Sequence, residues 1–133
     1  MKTILDTGPL VALMNRRDDH HAWAVGAFER VNPPLWTCEP VLTEAAHLTG
    51  AARQILEMVS AGTLRIGLDL EEQADAIAAL LRRYGKQMDL ADACIVRMSE
   101  LGRTCRVFTL DRRDFSTFRR NGRDVIPLLA PEV

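Results

Sequence analysis

The sequence predicts an α/β fold built around a parallel sheet that is covered on both faces by helices. Short apolar runs bounded by turn residues alternate along the chain with segments of helical periodicity. The 133 residues match the length of one ordinary domain. Apolar residues make up 47% and charged residues 26%, which is typical of a chain that folds around a core. We therefore expect a single domain over residues 1–133.

Four apolar runs and one edge segment are the predicted strands. The first, KTIL (2–5), ends in the helix-start signal DTGP, so it should place Asp6 at its carboxyl end. LWTC and LRIGL are the second and third strands, and CRVFTLD is the fourth, ending in Asp111. The segment DVIPLL (124–129) is predicted as a short edge strand, because Pro127 is tolerated at an edge more readily than in a sheet centre.

Helical periodicity fills the intervals between these strands. In the segment that begins at Leu90, apolar residues recur every three to four positions, and Gly50 and Gly85 follow two other such segments as stops. The predicted helices cover residues 10–15, 20–31, 39–50, 51–60, 71–84 and 90 onward.

Several classes of protein are disfavoured by the sequence. The apolar N-terminal stretch is too short to span a bilayer and is interrupted by Asp6, Gly8 and Pro9, so we expect neither a membrane span nor a signal peptide. The three cysteines lack the paired spacing of a zinc site, and the three histidines form no H-E-x-x-H pattern. A reducing, cytoplasmic location fits these features best.

The charge distribution indicates a negatively charged partner, although the net charge of −1 argues weakly against electrostatic coating of nucleic acid. Between Arg97 and Arg123 there are eight arginines and only three acids. A planar guanidinium suits phosphate, and it serves a partner protein's carboxylates equally well. A solvated charged face is the remaining alternative.

Four acids from distant parts of the chain are predicted to meet at one sheet edge. In open parallel sheets, the functional crevice lies outside the carboxyl ends of the strands. Asp6 and Asp111 follow the first and fourth strands, and Asp92 lies in the first turn of the helix before the fourth strand. Glu44 lies early in the helix after the second strand. Asp89 also precedes that later helix and is interpreted as its cap or, alternatively, as an accessory ligand acting through water.

Carboxylates this close would repel one another unless a cation balanced them. Mg²⁺ or Mn²⁺ is the natural partner, because both are hard ions that take oxygen ligands. Such a centre can polarise a phosphodiester and generate a hydroxide nucleophile. The acids therefore predict a metal-dependent nuclease.

The same residues resemble a known family. ILDTGPL, LTEAAHL, MDLADACIV and FTLDRRDF are similar, in order and spacing, to the motifs of PIN-domain ribonucleases, particularly the VapC-type toxins of toxin–antitoxin pairs. The resemblance covers nearly the whole chain. It implies a three-layer α/β/α sandwich with a central parallel sheet of four to five strands. It also implies magnesium-dependent endoribonuclease activity, homodimerisation and inhibition by a small cognate antitoxin. Helices in the first half of the chain carry apolar residues that we expect to be available for a dimer interface, namely Trp23, Phe28 and Met58.

Carried over by motif, the resemblance makes Asp6, Glu44, Asp92 and Asp111 the four metal-binding, catalytic acids. Thr7 and Thr109 stand beside acids at strand ends, where each could hydrogen-bond a metal-bound water or a phosphate, or simply satisfy a turn. Within DRRDF, we expect Asp114 to cap a helix or to support a metal ligand, and Phe115 to belong to the core.

Other functions are compatible with parts of the pattern. A housekeeping PIN nuclease without an antitoxin, or an inactive PIN fold, would share all four motifs. Another metal-dependent phosphohydrolase would share the acids, but the D-x-D pair expected after the first strand is absent. A magnesium-binding regulatory module would lack its basic partner near the last strand, because no lysine occurs after Lys86. The sequence does not identify the RNA target.

Overall fold

The computed structural model describes residues 1–132, and its centre is a five-stranded sheet in which every neighbouring pair is parallel. The strand order is β3-β2-β1-β4-β7, and β5 and β6 form a separate antiparallel pair. The strands are β1 (Lys2–Leu5), β2 (Leu35–Thr37), β3 (Leu64–Ile66), β4 (Cys105–Phe108), β5 (Arg119–Arg120), β6 (Asp124–Val125) and β7 (Leu128–Leu129).

Helices occupy most of the chain between the strands. They are α1 (Thr7–Met14), α2 (His21–Arg30), α3 (Glu39–Thr49), α4 (Ala52–Ser60), α5 (Ala74–Tyr84), α6 (Leu90–Leu101) and α7 (Arg112–Thr117), and a single 3₁₀ turn covers Gly85–Gln87. No helix in residues 1–132 is both long enough and apolar enough to span a bilayer.

Alternate residues of the central strands enter two different cores. Ile4 and Val107 pack with α5 and α6 on one face of the sheet. Leu5 and Phe108 pack with α1 to α4 on the other. Successive side chains of a strand point to opposite faces of the sheet, so a strand that is buried on both faces supplies apolar residues to both cores. The predicted α/β/α sandwich with a central parallel sheet is therefore confirmed, with five strands.

Several predicted boundaries were wrong. Helix α1 begins at Thr7 rather than at residue 10, because Pro9 lies in the first turn, where a missing backbone N–H costs no helical hydrogen bond. Helix α5 begins at Ala74 rather than at residue 71. The predicted edge strand 124–129 is divided by Pro127. Its first part pairs with β5, and its second part, β7, extends the main sheet beside β4.

The pairing of β1 with β4 determines where the site forms. Leu5 lies opposite Phe108 in parallel register, and the backbone N–H of Asp6 donates to the Phe108 carbonyl at 2.9 Å. The next residues along the two strands, Asp6 and Thr109, therefore leave the sheet side by side at its carboxyl edge.

Candidate active site

A cleft of about 620 Å³ opens at the carboxyl edge of the sheet. The four acids predicted from the sequence all line it, together with further acids and one basic side chain. The lining residues that matter below are Asp6, Thr7, Glu44, Lys86, Gln87, Asp89, Asp92, Asp111 and Asp114. The structure thus brings together side chains that are separated by up to about a hundred positions in the chain.

Asp6 is the most deeply placed of the acids. It is only 8% exposed, and its Oδ2 accepts a hydrogen bond from the Thr109 hydroxyl at 2.7 Å. Burial raises the pKa of Asp6 to about 6, and the negative charges of Glu44 and Asp89 add to the increase. Hydrogen bonds from Thr109 and from the Thr7 backbone partly oppose it. Asp6 is therefore a carboxylate whose negative charge lacks full compensation.

Thr109 connects two of the acids. Its hydroxyl donates to Asp6 and accepts from the backbone N–H of Asp111 at 2.9 Å, and the residue is fully buried. One hydroxyl thereby orients the Asp6 carboxylate and the start of the turn that carries Asp111. Of the two roles left open from the sequence, the turn role is visible, and it is combined with direct contact to Asp6.

Asp89 and Asp92 form a reciprocal cap on α6. The Asp92 N–H donates to Asp89 Oδ1 at 2.8 Å, and the Asp89 N–H donates to Asp92 Oδ2 at 3.1 Å. Asp89 therefore occupies the N-cap position that the sequence suggested. Burial raises the pKa of Asp92 to about 7, and the charges of Asp89 and Asp6 contribute to the increase.

A similar arrangement begins α7, a helix that is not among those predicted from the sequence. The Asp114 N–H donates to Asp111 Oδ1 at 3.0 Å, so the cap is Asp111 and not Asp114, which lies in the first turn. Burial raises the pKa of Asp111, although neighbouring groups partly oppose it. Phe115 is fully buried, which confirms its assignment to the core.

Glu44 reaches the cleft from α3. It is partly buried, and its charge raises the pKa of Asp6, so the two carboxylates lie within electrostatic reach. An apolar groove of about 630 Å³ adjoins the cleft on this side and shares Glu44 and Asp89 with it. Leu70 and Leu90 are among the residues that line this groove.

The chemistry of the cleft suits a hard cation. Its possible ligands are carboxylate oxygens, and within residues 1–132 the ion pairs are Arg53–Glu57 and Arg97–Glu100, neither of which includes a cleft acid. The Thr7 hydroxyl beside Asp6 is buried without a hydrogen-bond partner. In the described part of the chain, no three His, Cys, Asp or Glu side chains converge tightly enough to hold an ion as they stand. Carboxylates repel one another when no cation lies between them, so we expect the acids of the cleft to lie apart.

The arginines between positions 97 and 123 divide into two groups. Five have side chains that hydrogen-bond within the protein, namely Arg97, Arg106, Arg112, Arg119 and Arg120. Arg112, for example, donates to the carbonyls of Ala130 and Pro131 and so holds the C-terminal segment. The exposed arginines of the stretch are Arg103, Arg113 and Arg123. The basic stretch therefore serves the fold more than the sequence suggested.

Carboxylates gathered at the carboxyl edge of a parallel sheet, inside an α/β/α sandwich, define a class of protein suited to cation-assisted chemistry on phosphate esters. The sequence model of the PIN domain matches residues 3–121, and the chain belongs to this family. PIN domains are generally nucleases and typically bind divalent metals in the active site, which supports a hydrolase acting on nucleic acid. A comparison with curated proteins finds no match.

Proposed function

We propose that this protein is a magnesium-dependent endoribonuclease, the toxin of a type II toxin–antitoxin pair, acting as a single nuclease domain over residues 1–133. The observation that carries the proposal is the buried Asp6 carboxylate, which faces a cleft shared with Glu44, Asp92 and Asp111 and has no basic partner within 4.0 Å in residues 1–132. Family membership supports the nuclease part of the proposal.

In this proposal, Asp6, Glu44, Asp92 and Asp111 hold Mg²⁺, or Mn²⁺ in its place. When bound, such a cation supplies Lewis acidity toward the phosphodiester and a nucleophile at neutral pH. The remaining tasks belong to the protein. Thr109 holds Asp6 in one orientation, and the reciprocal cap holds Asp92 at the start of α6. The exposed carboxylates repel phosphate until their charge is balanced, which makes RNA binding depend on the cation.

The decisive experiment compares RNA cleavage by the wild-type protein and by Asp92→Asn. Asn keeps the shape of Asp92 and can still accept the Asp89 N–H, but it removes a negative charge. We expect single-stranded RNA to be cut with Mg²⁺ or Mn²⁺ and left intact with chelator, with poor support from Ca²⁺. Asp92→Asn should lose cutting while its circular dichroism spectrum is unchanged.

The exposed loop variant Asp19→Asn is the matched control, because it makes the same chemical change at a residue that does not line the cleft. It should cut RNA at the wild-type rate. Full activity of Asp92→Asn, in a preparation free of contaminating nuclease, would disprove the metal mechanism. Calorimetric titration with Mg²⁺ gives an independent test, since Asp92→Asn should bind the ion more weakly than Asp19→Asn does.

A small antitoxin is the second part of the proposal. The apolar groove beside the cleft gives such a partner a place to bind, with Leu90 45% exposed and Leu70 38% exposed. A short gene immediately upstream, encoding a DNA-binding N-terminus and an amphipathic tail, would support it. If the neighbouring genes encode no such protein and the chain is harmless when expressed alone, a housekeeping nuclease is the better description.

We also propose a homodimer, on different residues from those that the sequence suggested. Trp23, Phe28 and Met58 were expected to be available for an interface, but all three are half-buried against the core. The rings of Trp23 and Phe28 pack on Phe108, with centroids 5.6 and 4.9 Å away. Leu48 and Leu56 are instead 62% and 55% exposed, on α3 and α4. A monomeric mass at micromolar concentration would contradict the dimer.

A further inference from the structure

Among the residues that line the acidic cleft, one is a base. Lys86 is one of only two lysines in the whole sequence, the other being Lys2. Lys2 lies at the start of β1, at the other end of the strand from Asp6, with its ammonium over the Trp36 ring. The chain therefore carries a single lysine where the acids gather.

The backbone at Gly85 turns in a way that brings Lys86 to the cleft. Gly85 has φ 57° and ψ −131°, a conformation that residues with a Cβ rarely adopt. It ends α5, and the 3₁₀ turn that follows carries Lys86 and Gln87, both of which line the cleft. Met88, which is only 4% exposed, then anchors the chain in the core. The turn is thus held on both sides.

The Lys86 ammonium is exposed and, in the described part of the chain, has no acid within 4.0 Å. This lack of pairing occurs although several carboxylates line the same cleft. Asp89 and Asp92 are the acids that follow Lys86 most closely in the sequence. One carboxylate oxygen of each already accepts the other's backbone N–H. Lys86 is therefore an exposed positive charge at the rim of a negative site, without an ion-pair partner in residues 1–132.

We propose that Lys86 binds a phosphate of the RNA backbone next to the bond that is cut, and so positions the substrate. An ammonium has three donors and no acceptor, which suits the non-bridging oxygens of a phosphodiester. A single positive charge at the rim would attract the backbone toward carboxylates that otherwise repel it. This inference rests on the proposed ribonuclease function and adds a subsite to it.

The test compares Lys86→Ala, Lys86→Arg and the control Lys2→Ala in steady-state cleavage of a single-stranded RNA with Mg²⁺. Lys86→Ala should raise KM roughly tenfold with a smaller change in kcat, and Lys86→Arg should recover most of the loss because it restores the charge. Losing one phosphate contact should also reduce the slope of log affinity against log salt by about 0.7 for single-stranded RNA. Lys2→Ala should leave KM and the slope unchanged.

A second measurement identifies the phosphate. RNA oligonucleotides carrying one neutral methylphosphonate, placed in turn at each position, should bind the wild-type protein less tightly at one position near the cut. At that position alone, wild-type and Lys86→Ala should bind equally, because the charge that Lys86 contacts is gone. Equal loss for both proteins at every position would overturn the proposal.

Two other outcomes would also overturn it. Wild-type KM and salt slope in Lys86→Ala would mean that the lysine touches no substrate. Markedly tighter Mg²⁺ binding by Lys86→Ala, measured by calorimetry without RNA and accompanied by a wild-type salt slope for RNA binding, would mean that the lysine balances the acids instead of binding phosphate. If the wild-type protein cuts no RNA, the ribonuclease proposal fails, whereas the salt slope for binding labelled RNA still decides the role of Lys86.

Discussion

Replacing Asp6 by Asn should stabilise the metal-free protein at high pH. Burial raises the pKa of Asp6 from 3.8 to about 6. One pKa unit corresponds to about 1.4 kcal/mol, so ionised Asp6 makes the folded chain less stable by about 3 kcal/mol. Asn is neutral at every pH and can still accept the Thr109 hydroxyl. We therefore expect Asp6→Asn to raise the free energy of unfolding at pH 8 by about 1–3 kcal/mol.

The direction of the pH dependence follows from proton binding. A carboxyl with a raised pKa binds its proton more tightly in the folded chain than in the unfolded chain. Its contribution to stability is therefore fully present below pH 3.8 and is lost as the pH rises through about 6. The gain from Asp6→Asn should accordingly shrink to less than about 1 kcal/mol at pH 4.

Urea denaturation in the presence of chelator measures the free energy of unfolding at pH 4 and at pH 8, with Asp19→Asn as the exposed control. Adding Mg²⁺ at pH 8 should reverse the order, because a cation that binds only the folded wild-type protein stabilises it by mass action. Equal destabilisation by Asp6→Asn at both pH values would show that Asp6 serves a structural role and would refute this reasoning.

Three further predictions test neighbouring residues. Thr109→Val removes the donor to Asp6 and the acceptor for the next turn, so it should cost about 1–3 kcal/mol in urea denaturation and also reduce cleavage. Asp89→Asn should be nearly neutral for stability, whereas Asp89→Ala should cost about 1 kcal/mol, and equal losses would contradict the capping role. Arg112→Ala should lower stability, while Arg113→Ala should weaken RNA binding in a salt-dependent way; the reverse pattern would contradict the division of the arginines.

The sequence could predict the site residues that directly follow a recognisable strand or begin a recognisable helix. KTIL followed by Asp6, and CRVF followed at a short distance by Asp111, combine an apolar strand pattern with a charge that cannot remain in the core. The parallel topology then places both acids at one edge without any further information. The Asp89 cap could also be predicted from the sequence, because capping depends on residues only three positions apart.

The parts that could not be predicted depend on tertiary contacts. The sequence shows that Trp23 and Phe28 are apolar, but only the packing of α2 against Phe108 shows that both rings are half-buried against the core. The arginine-rich stretch suggests phosphate binding, but the side chain of Arg112 within it donates to backbone carbonyls of the C-terminal segment. Residues 124–129 form one run in the sequence and two strands in the fold, because Pro127 lies between two different partners.

The position of Asp6 beside Thr109 links the fold to the proposed chemistry. Parallel pairing of β1 with β4 in the register Leu5 to Phe108 obliges the next residue of each strand to leave the sheet at the same level. The Thr109 hydroxyl donates a hydrogen bond to one oxygen of the buried Asp6 carboxylate without neutralising its negative charge. A lysine at position 109 would lower the pKa of Asp6 and remove the uncompensated charge that attracts a cation. The pair therefore keeps Asp6 oriented and negative, which is the condition that a metal ligand must meet.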